Sequence, residues 1–265
     1  MLTKYERIIS YIFDKHFDSE ASGFEFSRRE INEATESLKL AQVSNVGDVL
    51  YTFRSRKQLP ESIRNKAPGS KEWVIRTTAT GRYRFDLIPH ASFAVNHQLT
   101  ETLIPDSTPA LIHLYKQSDE QALLAIIRYN RLIDIFTRLS CFSVQSHLRT
   151  SLKGSGQIEV DELYVGLDRK GAHYVIPVEV KSAKDVIGYV QVDNMFELCA
   201  QRFPHLIPRP LGAQFIDDDG IALFEFERLT DGVAIGIAAE RHYRLVPHDD
   251  LPDDLIAQYS QRLDD

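Results

Sequence analysis

The chain has 265 residues, a net charge of -7, 43% hydrophobic and 26% charged residues, the balance of a globular protein with room for one large or two modest domains. No stretch reaches the ~20 apolar residues that cross a bilayer, and the first residues carry no apolar leader, which predicts a cytoplasmic protein with no membrane partner. The two cysteines, Cys141 and Cys199, lie in apolar surroundings without a C-x-x-C spacing, and the nine histidines form no H-x-x-x-H pair, so disulfide and zinc chemistry are disfavoured.

Tyr5, Ile8, Ile9, Ile12 and Phe13 recur at helical spacing and predict a helix over 4–16. Ser27-Arg28-Arg29-Glu30 has the hydroxyl, and the acid three residues on, of a capping box, so a second helix opens at Ser27. Val46, Val49, Leu50 and Phe53 share one side of a third, over 45–53. Strand-like Trp73-Val74-Ile75-Arg76 and Tyr83-Arg84-Phe85-Asp86 follow around a Thr/Gly turn. Between residues 54 and 84 nine basic residues face two acids, a local charge of +7 in a chain that is otherwise acidic. Such a patch can follow phosphates while the remainder is repelled. Three short helices and a β-hairpin in this order resemble a winged helix-turn-helix domain, here over 1–88. The resemblance implies that the third helix enters the major groove of double-stranded DNA and that the hairpin touches backbone or minor groove. Arg54, Arg56 and Lys57 at the end of that helix, with Arg76, Arg82 and Arg84 on the hairpin, become the expected DNA contacts. The same fold also serves as a protein-docking module, and basic residues suit any helix C-terminus.

Residues 89–119, with Pro89, Pro105 and Pro109 among mixed polar residues, read as a linker or bridging segment. A helix over 120–139 is apolar around too wide an arc for a surface position, so its Arg128, Asn130, Arg131 and Asp134 need partners. In the alternating segment 143–150, Gln145, His147 and Arg149 are further candidate DNA contacts, although an ordinary exposed strand or helix end explains them equally well. Gln157 to Val165 and Ile176 to Lys181 are strands by β-branched content and alternation, joined as a hairpin by the turn Asp168-Arg169-Lys170-Gly171. Period two puts Glu179 with Lys181 on one face, groups Asp161 with Glu159 and Leu163, and sends Val178 and Val180 into a core. Asp161 then lies beside Glu179 and Lys181. Two carboxylates that close repel and raise one pKa, unless a hard cation such as Mg²⁺ sits between them. An E-x-K on an amphipathic edge strand also arises by chance. Ser182-Ala183-Lys184-Asp185 leads into a helix ending near Phe203-Pro204, and strands over 211–216, 222–227 and 232–238 complete the region, with Asp217-Asp218-Asp219-Gly220 a hairpin turn.

This constellation resembles the PD-(D/E)XK nuclease superfamily, the restriction-endonuclease-like fold, over residues 120 to 227. The segments IRYNRLIDIF, VQSHLRT, GQIEVDELYVG and IPVEVKSAKD are similar to bacterial endonucleases within it. The resemblance implies an α+β or α/β domain over 120–265, a mixed β-sheet flanked by helices. It makes Asp161 and Glu179 metal-binding acids, Lys181 the catalytic lysine, the Val180 carbonyl a further ligand, and Gln191 a catalytic residue on the following helix. Val160 stands where the motif's name has proline, and Asp134 either matches the acid that some members carry on the preceding helix or pairs with a neighbouring arginine. The expected function is a Mg²⁺-dependent (Mn²⁺ substituting) DNA endonuclease of restriction or phage-defence type, acting as a homodimer on double-stranded DNA. The rival is a DNA-binding transcriptional regulator with a catalytically silent nuclease-like domain.

Overall fold

The computed structural model describes residues 2–115, 120–217, 219–229 and 234–261, with the backbone alone for Ser55, Arg56 and His248. Thr3 Oγ1 accepts the Glu6 N–H and Glu6 returns a bond to the Thr3 N–H, a capping box that starts α1 (Lys4–His16). β1 (Gly23–Ser27) follows, then α2 (Arg29–Ser37) and α3 (Val46–Tyr51), the last capped by Asn45 and continued by a π-type turn over Thr52–Arg56. Helix α2 starts later than its capping pattern suggests, because Ser27 closes β1; only its N–H serves the helix, donating to Glu30 Oε1 at 2.8 Å. After α4 (Glu61–Arg64) come β2 (Glu72–Ala79) and β3 (Arg82–Ile88), which complete an antiparallel sheet in the order β1-β3-β2. Phe13 meets Phe24, Trp73 and Phe85 edge to face, so α1 and this sheet share one aromatic core.

β4 (Ser92–Phe93), β5 (Glu101–Pro105) and α5 (Ala110–Tyr115) lie in the stretch read as a linker. Within that stretch, β5 pairs in parallel with a strand some 140 residues later and forms one edge of the large sheet. Pro105 is its last residue, at a strand end where a missing N–H is tolerated. The helix expected over 120–139 is divided into α6 (Glu120–Tyr129) and α7 (Leu132–Thr137). Arg131 adopts left-handed backbone (φ +50°), while the Asn130 amide oxygen accepts the Ser107 N–H at 2.7 Å and its nitrogen donates to Thr108 Oγ1 at 2.8 Å.

The remaining elements are β6 (Ser140–Leu152), β7 (Gly156–Leu167), β8 (His173–Lys181), β9 (Ile187–Gly188), α8 (Tyr189–Arg202), β10 (Ile207–Pro208), β11 (Leu211–Phe215), β12 (Gly220–Arg228), β13 (Ile235–Val246) and α9 (Asp253–Ser260). The large sheet is mixed and runs β5-β13-β12-β11-β8-β7-β6, with β10 beside β8; β8–β11 and β13–β5 are parallel pairs. Helices α6 and α7 cover Ile176, Val178, Val180, Leu211 and Ala213 on one face, and α8 covers Val160, Ala222, Phe224 and Phe226 on the other. Buried on both faces, the central strands read as nearly continuous apolar runs. Val74 of β2 and Ile88 of β3 belong to the apolar cluster under α8, so the small sheet is docked on the large one through a shared core. Asp217 Oδ1 accepts the N–H groups of Asp219 and Gly220 in the β11–β12 turn, and bonding to Arg244 draws its carboxyl down to about 2; Asp218 lies outside the described residues. Among the described residues, no helix is long and apolar enough to cross a membrane, and both cysteines are buried free thiols.

Candidate active site

The β7–β8 ladder runs from Leu167/His173 to Glu162/Val178 and stops one rung before Asp161 and Glu179. The Val180 N–H, which would next have bonded the β7 backbone, donates instead to Asp161 Oδ2 at 2.8 Å. In an extended strand the N–H and C=O of one residue point toward the same neighbour, so the Val180 carbonyl also opens into the gap. Across from Asp161, His147 takes left-handed backbone (φ +49°) between Ser146 and Leu148, whose partners are Glu162 and Val160. On β7 the alternation slips here as well, since Val160 and Leu163 both pack beneath α8 while Glu162 and Tyr164 face α6. Two irregular strands thus part, and Asp161 spans the opening.

Glu179 is 4% exposed at the side of that gap. Its Oε1 accepts from Lys181 Nζ at 2.7 Å and from the Gln191 amide, whose own oxygen accepts the Gly188 N–H at 3.0 Å. Those two bonds fix the amide orientation by chemistry, because a carboxylate requires the NH₂ end and an N–H requires the oxygen. Gly212, register partner of Glu179, is needed for this placement: a Cβ there would stand 2.3 Å from Ile187 Cδ1, and Ile187 seats the start of α8. Lys181 Nζ also lies 3.5 Å from Glu120 Oε1 at the start of α6.

Three carboxylates therefore share one ammonium. Burial first, and the Asp161 charge second, push Glu179 up to about 8 against the pull of Lys181. Burial also raises Asp161, despite the Val180 N–H, and raises Glu120, where Asp161 and Asp185 add to the effect. Burial works against the Lys181 ammonium, but Glu179, Glu120 and Asp161 together outweigh it and hold its pKa above the ordinary lysine value. Asp161 Oδ1 and Glu179 Oε2 accept no hydrogen bond among the described residues and are the oxygens left for a cation. Gln214, aligned with Lys181 on β11, gives its amide nitrogen to the Asp185 carbonyl at 2.7 Å and leaves a buried oxygen without a partner. All of these donors are hard oxygens, which fits Mg²⁺ or Mn²⁺ rather than a thiophilic metal. Among the described residues no three His, Cys, Asp or Glu side chains form a ready-made metal cluster, so solvent would have to complete the shell.

Asp161, Glu179, Lys181, Gln191 and the Val180 carbonyl, singled out from sequence, are brought together. Glu120 was not singled out; Asp134 was weighed as the helix acid, yet its carboxylate holds Arg131 and the Cys141 N–H (3.0 Å). A lone acid at a helix start gives no signal until α6 is laid over the end of β8. Glu162 was also passed over. It is fully buried and saturated by Arg128 at 2.9 Å, Ser146 at 2.7 Å and Ser143.

The expected DNA contacts divide. Gln145, His147 and Arg149 line the exposed edge strand β6 that leads toward Asp161; Arg149 pairs with Glu159 at 3.0 Å and His147 Nε2 lies 2.8 Å from Gln121 Nε2. Arg82 and Lys57 are exposed, and the Arg56 side chain lies outside the described residues. Arg76 is not free: it pairs with Asp193 on α8 and faces Asp86 at 3.8 Å, while Arg84 bonds Asp86 at 2.6 Å. Arg54 turns inward to the Ser155 carbonyl (3.4 Å) in the β6–β7 turn, and burial lowers its pKa. Arg54 and Arg76 thus hold the two sheets together. Compared with family models, curated proteins and solved structures, the chain gives no match.

Proposed function

We propose that the protein is a Mg²⁺-dependent DNA endonuclease, in which residues 1–88 act as a winged helix on duplex DNA and the region from residue 120 onward acts as a PD-(D/E)XK nuclease domain. The observation that carries this reading is the meeting of Asp161, Glu179 and Lys181 where β7 and β8 part. Element order supports it: helix, strand, acid strand, E-x-K strand, helix and parallel strand succeed one another as α6–α7, β6, β7, β8, α8 and β11. The succession α1, β1, α2, α3, α4, β2, β3 around a three-stranded sheet supports the winged helix in the same way.

Asp161, Glu179 and the Val180 carbonyl would hold Mg²⁺, or Mn²⁺ in its place, which supplies an acidified water and positive charge beside the phosphate. The chain's own groups do the rest. Lys181 stays protonated and donates to a water or phosphate oxygen in the gap. Gln191 keeps Glu179 turned into the site, and Glu120 holds the far side of the Lys181 ammonium. One such centre attacks one strand, so a double-strand cut calls for two copies about a two-fold axis, a homodimer. A restriction or phage-defence task in the cytoplasm is consistent with that chemistry.

Wild-type protein should nick supercoiled plasmid only with added Mg²⁺ or Mn²⁺, and Lys181→Ala should bind DNA while leaving the plasmid intact. Undiminished cutting by that variant would remove the assignment. One observation favours the silent-regulator reading: Lys181 and Gln191 already occupy one oxygen of Glu179. Tight DNA binding with no new ends under any divalent metal would establish it instead.

A further inference from the structure

With Arg54, Arg76 and Arg84 engaged inside the protein, three other arginines line one concavity. A groove of about 810 Å³ lies between the end of β1, the start of α2 and the β2–β3 turn, and carries Arg28, Arg29 and Arg82. All three are exposed; among the described residues Arg28 and Arg29 have no carboxylate within ion-pair distance, and Arg82 has only Glu25 at 3.8 Å. The groove is braced: the Arg28 N–H donates to the Gly81 carbonyl at 2.9 Å, tying the helix start to the hairpin turn, where Gly81 takes φ +72°. Its other acid, Glu30, is already engaged by Lys15, His16 and the Ser27 N–H. Cationic, polar and open, this surface suits a sugar-phosphate backbone.

We infer that the groove formed by Arg28, Arg29 and Arg82 is the main backbone-contacting surface for duplex DNA. This rests on the endonuclease reading and specifies where the duplex lies. The hairpin that carries Arg82 abuts the β6–β7 turn: a Cβ on Gly156 would lie 3.5 Å from Thr77 Cγ2, and one on Gly154 3.9 Å from the Thr78 carbonyl. From that turn β7 reaches Asp161 in five residues, roughly 17 Å at ~3.3 Å per residue. A duplex spanning both would be gripped about five or more base pairs from the bond that is cut.

The test is binding of full-length protein to a fluorescent duplex in EDTA across a salt series, beside plasmid cleavage in Mg²⁺. Replacing Arg28, Arg29 and Arg82 together by Gln should weaken binding by roughly 10- to 100-fold and reduce the slope of log K against log salt by up to about 3, whereas Lys at the same positions should restore the slope. Hydroxyl-radical protection should extend to one side of the cut. If the Gln variant matches wild type in affinity and slope while wild type still cuts plasmid, the groove assignment fails and the endonuclease reading stands. If wild type neither binds duplex nor cuts plasmid, both fail. Tighter binding to duplex RNA than to DNA would overturn the choice of partner.

Discussion

Two buried glutamates on neighbouring strands, Glu162 of β7 and Glu179 of β8, are treated in opposite ways. Glu162, at 0% exposure, has a dedicated guanidinium and two serine hydroxyls, so its charge is matched and its oxygens are filled. Glu179, nearly as buried, must share a single ammonium with Asp161 and Glu120. Removing a carboxylate from water is costly, and the cost is offset only by complete pairing. The first arrangement is closed and structural. The second crowds more acids than cations under an opening, so that Glu179 keeps a proton where a cation could sit, as expected of a site that awaits one.

Substitution on the two sides should separate these roles, and the largest effect belongs to the open site. Glu179→Gln should reduce plasmid cleavage by at least about a hundredfold to a thousandfold, the scale of removing one group that stabilises the transition state, with the fold retained by circular dichroism. Glu162→Gln, which keeps an acceptor for the serines, should leave cleavage within a fewfold of wild type. Equal loss of activity in two well-folded variants would erase the distinction. In the opposite sense, Arg128→Ala leaves Glu162 buried with serine partners alone and should cost about 3 kcal/mol, read as a fall of several degrees in Tm.

The core of this contrast could be read from sequence, and its edges could not. Asp161, Glu179 and Lys181 are tied by the two-residue period and one turn, so local pattern brought them together. Glu120 depends on where a helix start lands over a strand end, and β5 on a partner some 140 residues away; neither leaves a local trace. Arg54 and Arg76 looked like surface charges because only tertiary docking supplies Ser155 and Asp193 as their partners. In the acid run of β7, Glu162 had no mark to set it apart from Asp161 until Arg128 was seen above it.

Titration sharpens the contrast further. Glu179 holds its proton to about 8 in the folded protein, against an ordinary carboxylate value of ~4.3. Between those values the folded state binds a proton that the unfolded state has released, so stability falls as pH rises. The group's favourable contribution is complete below the ordinary carboxylate range and is lost as pH climbs through about 8. A divalent ion should replace the proton, so Mg²⁺ should raise Tm more at pH 9 than at pH 6, and Glu179→Gln should flatten the difference. A metal effect of the same size at both pH values in the wild type would mean that Glu179 is not where the ion binds.

The smallest effect is expected where charge is matched but only partly buried, at the junction of the two sheets. Arg76 of β2 meets Asp193 of α8, which Arg228 of β12 also contacts at 3.2 Å, and Asp193 lies two residues beyond Gln191. Burial alone would lower the Arg76 pKa, and Asp193 more than reverses it, so the pair is attractive in net. A double-mutant cycle of Arg76→Ala and Asp193→Asn should give a coupling of about 1 kcal/mol, the range of a partly exposed ion pair in contact. If α8 is held in place through this contact, each single variant should also lower kcat with little change in duplex affinity, because Gln191 would lose its grip on Glu179 while the phosphate-binding surface is untouched. Loss of affinity with kcat intact would instead place Arg76 among the DNA contacts, the role its position on the hairpin first suggested.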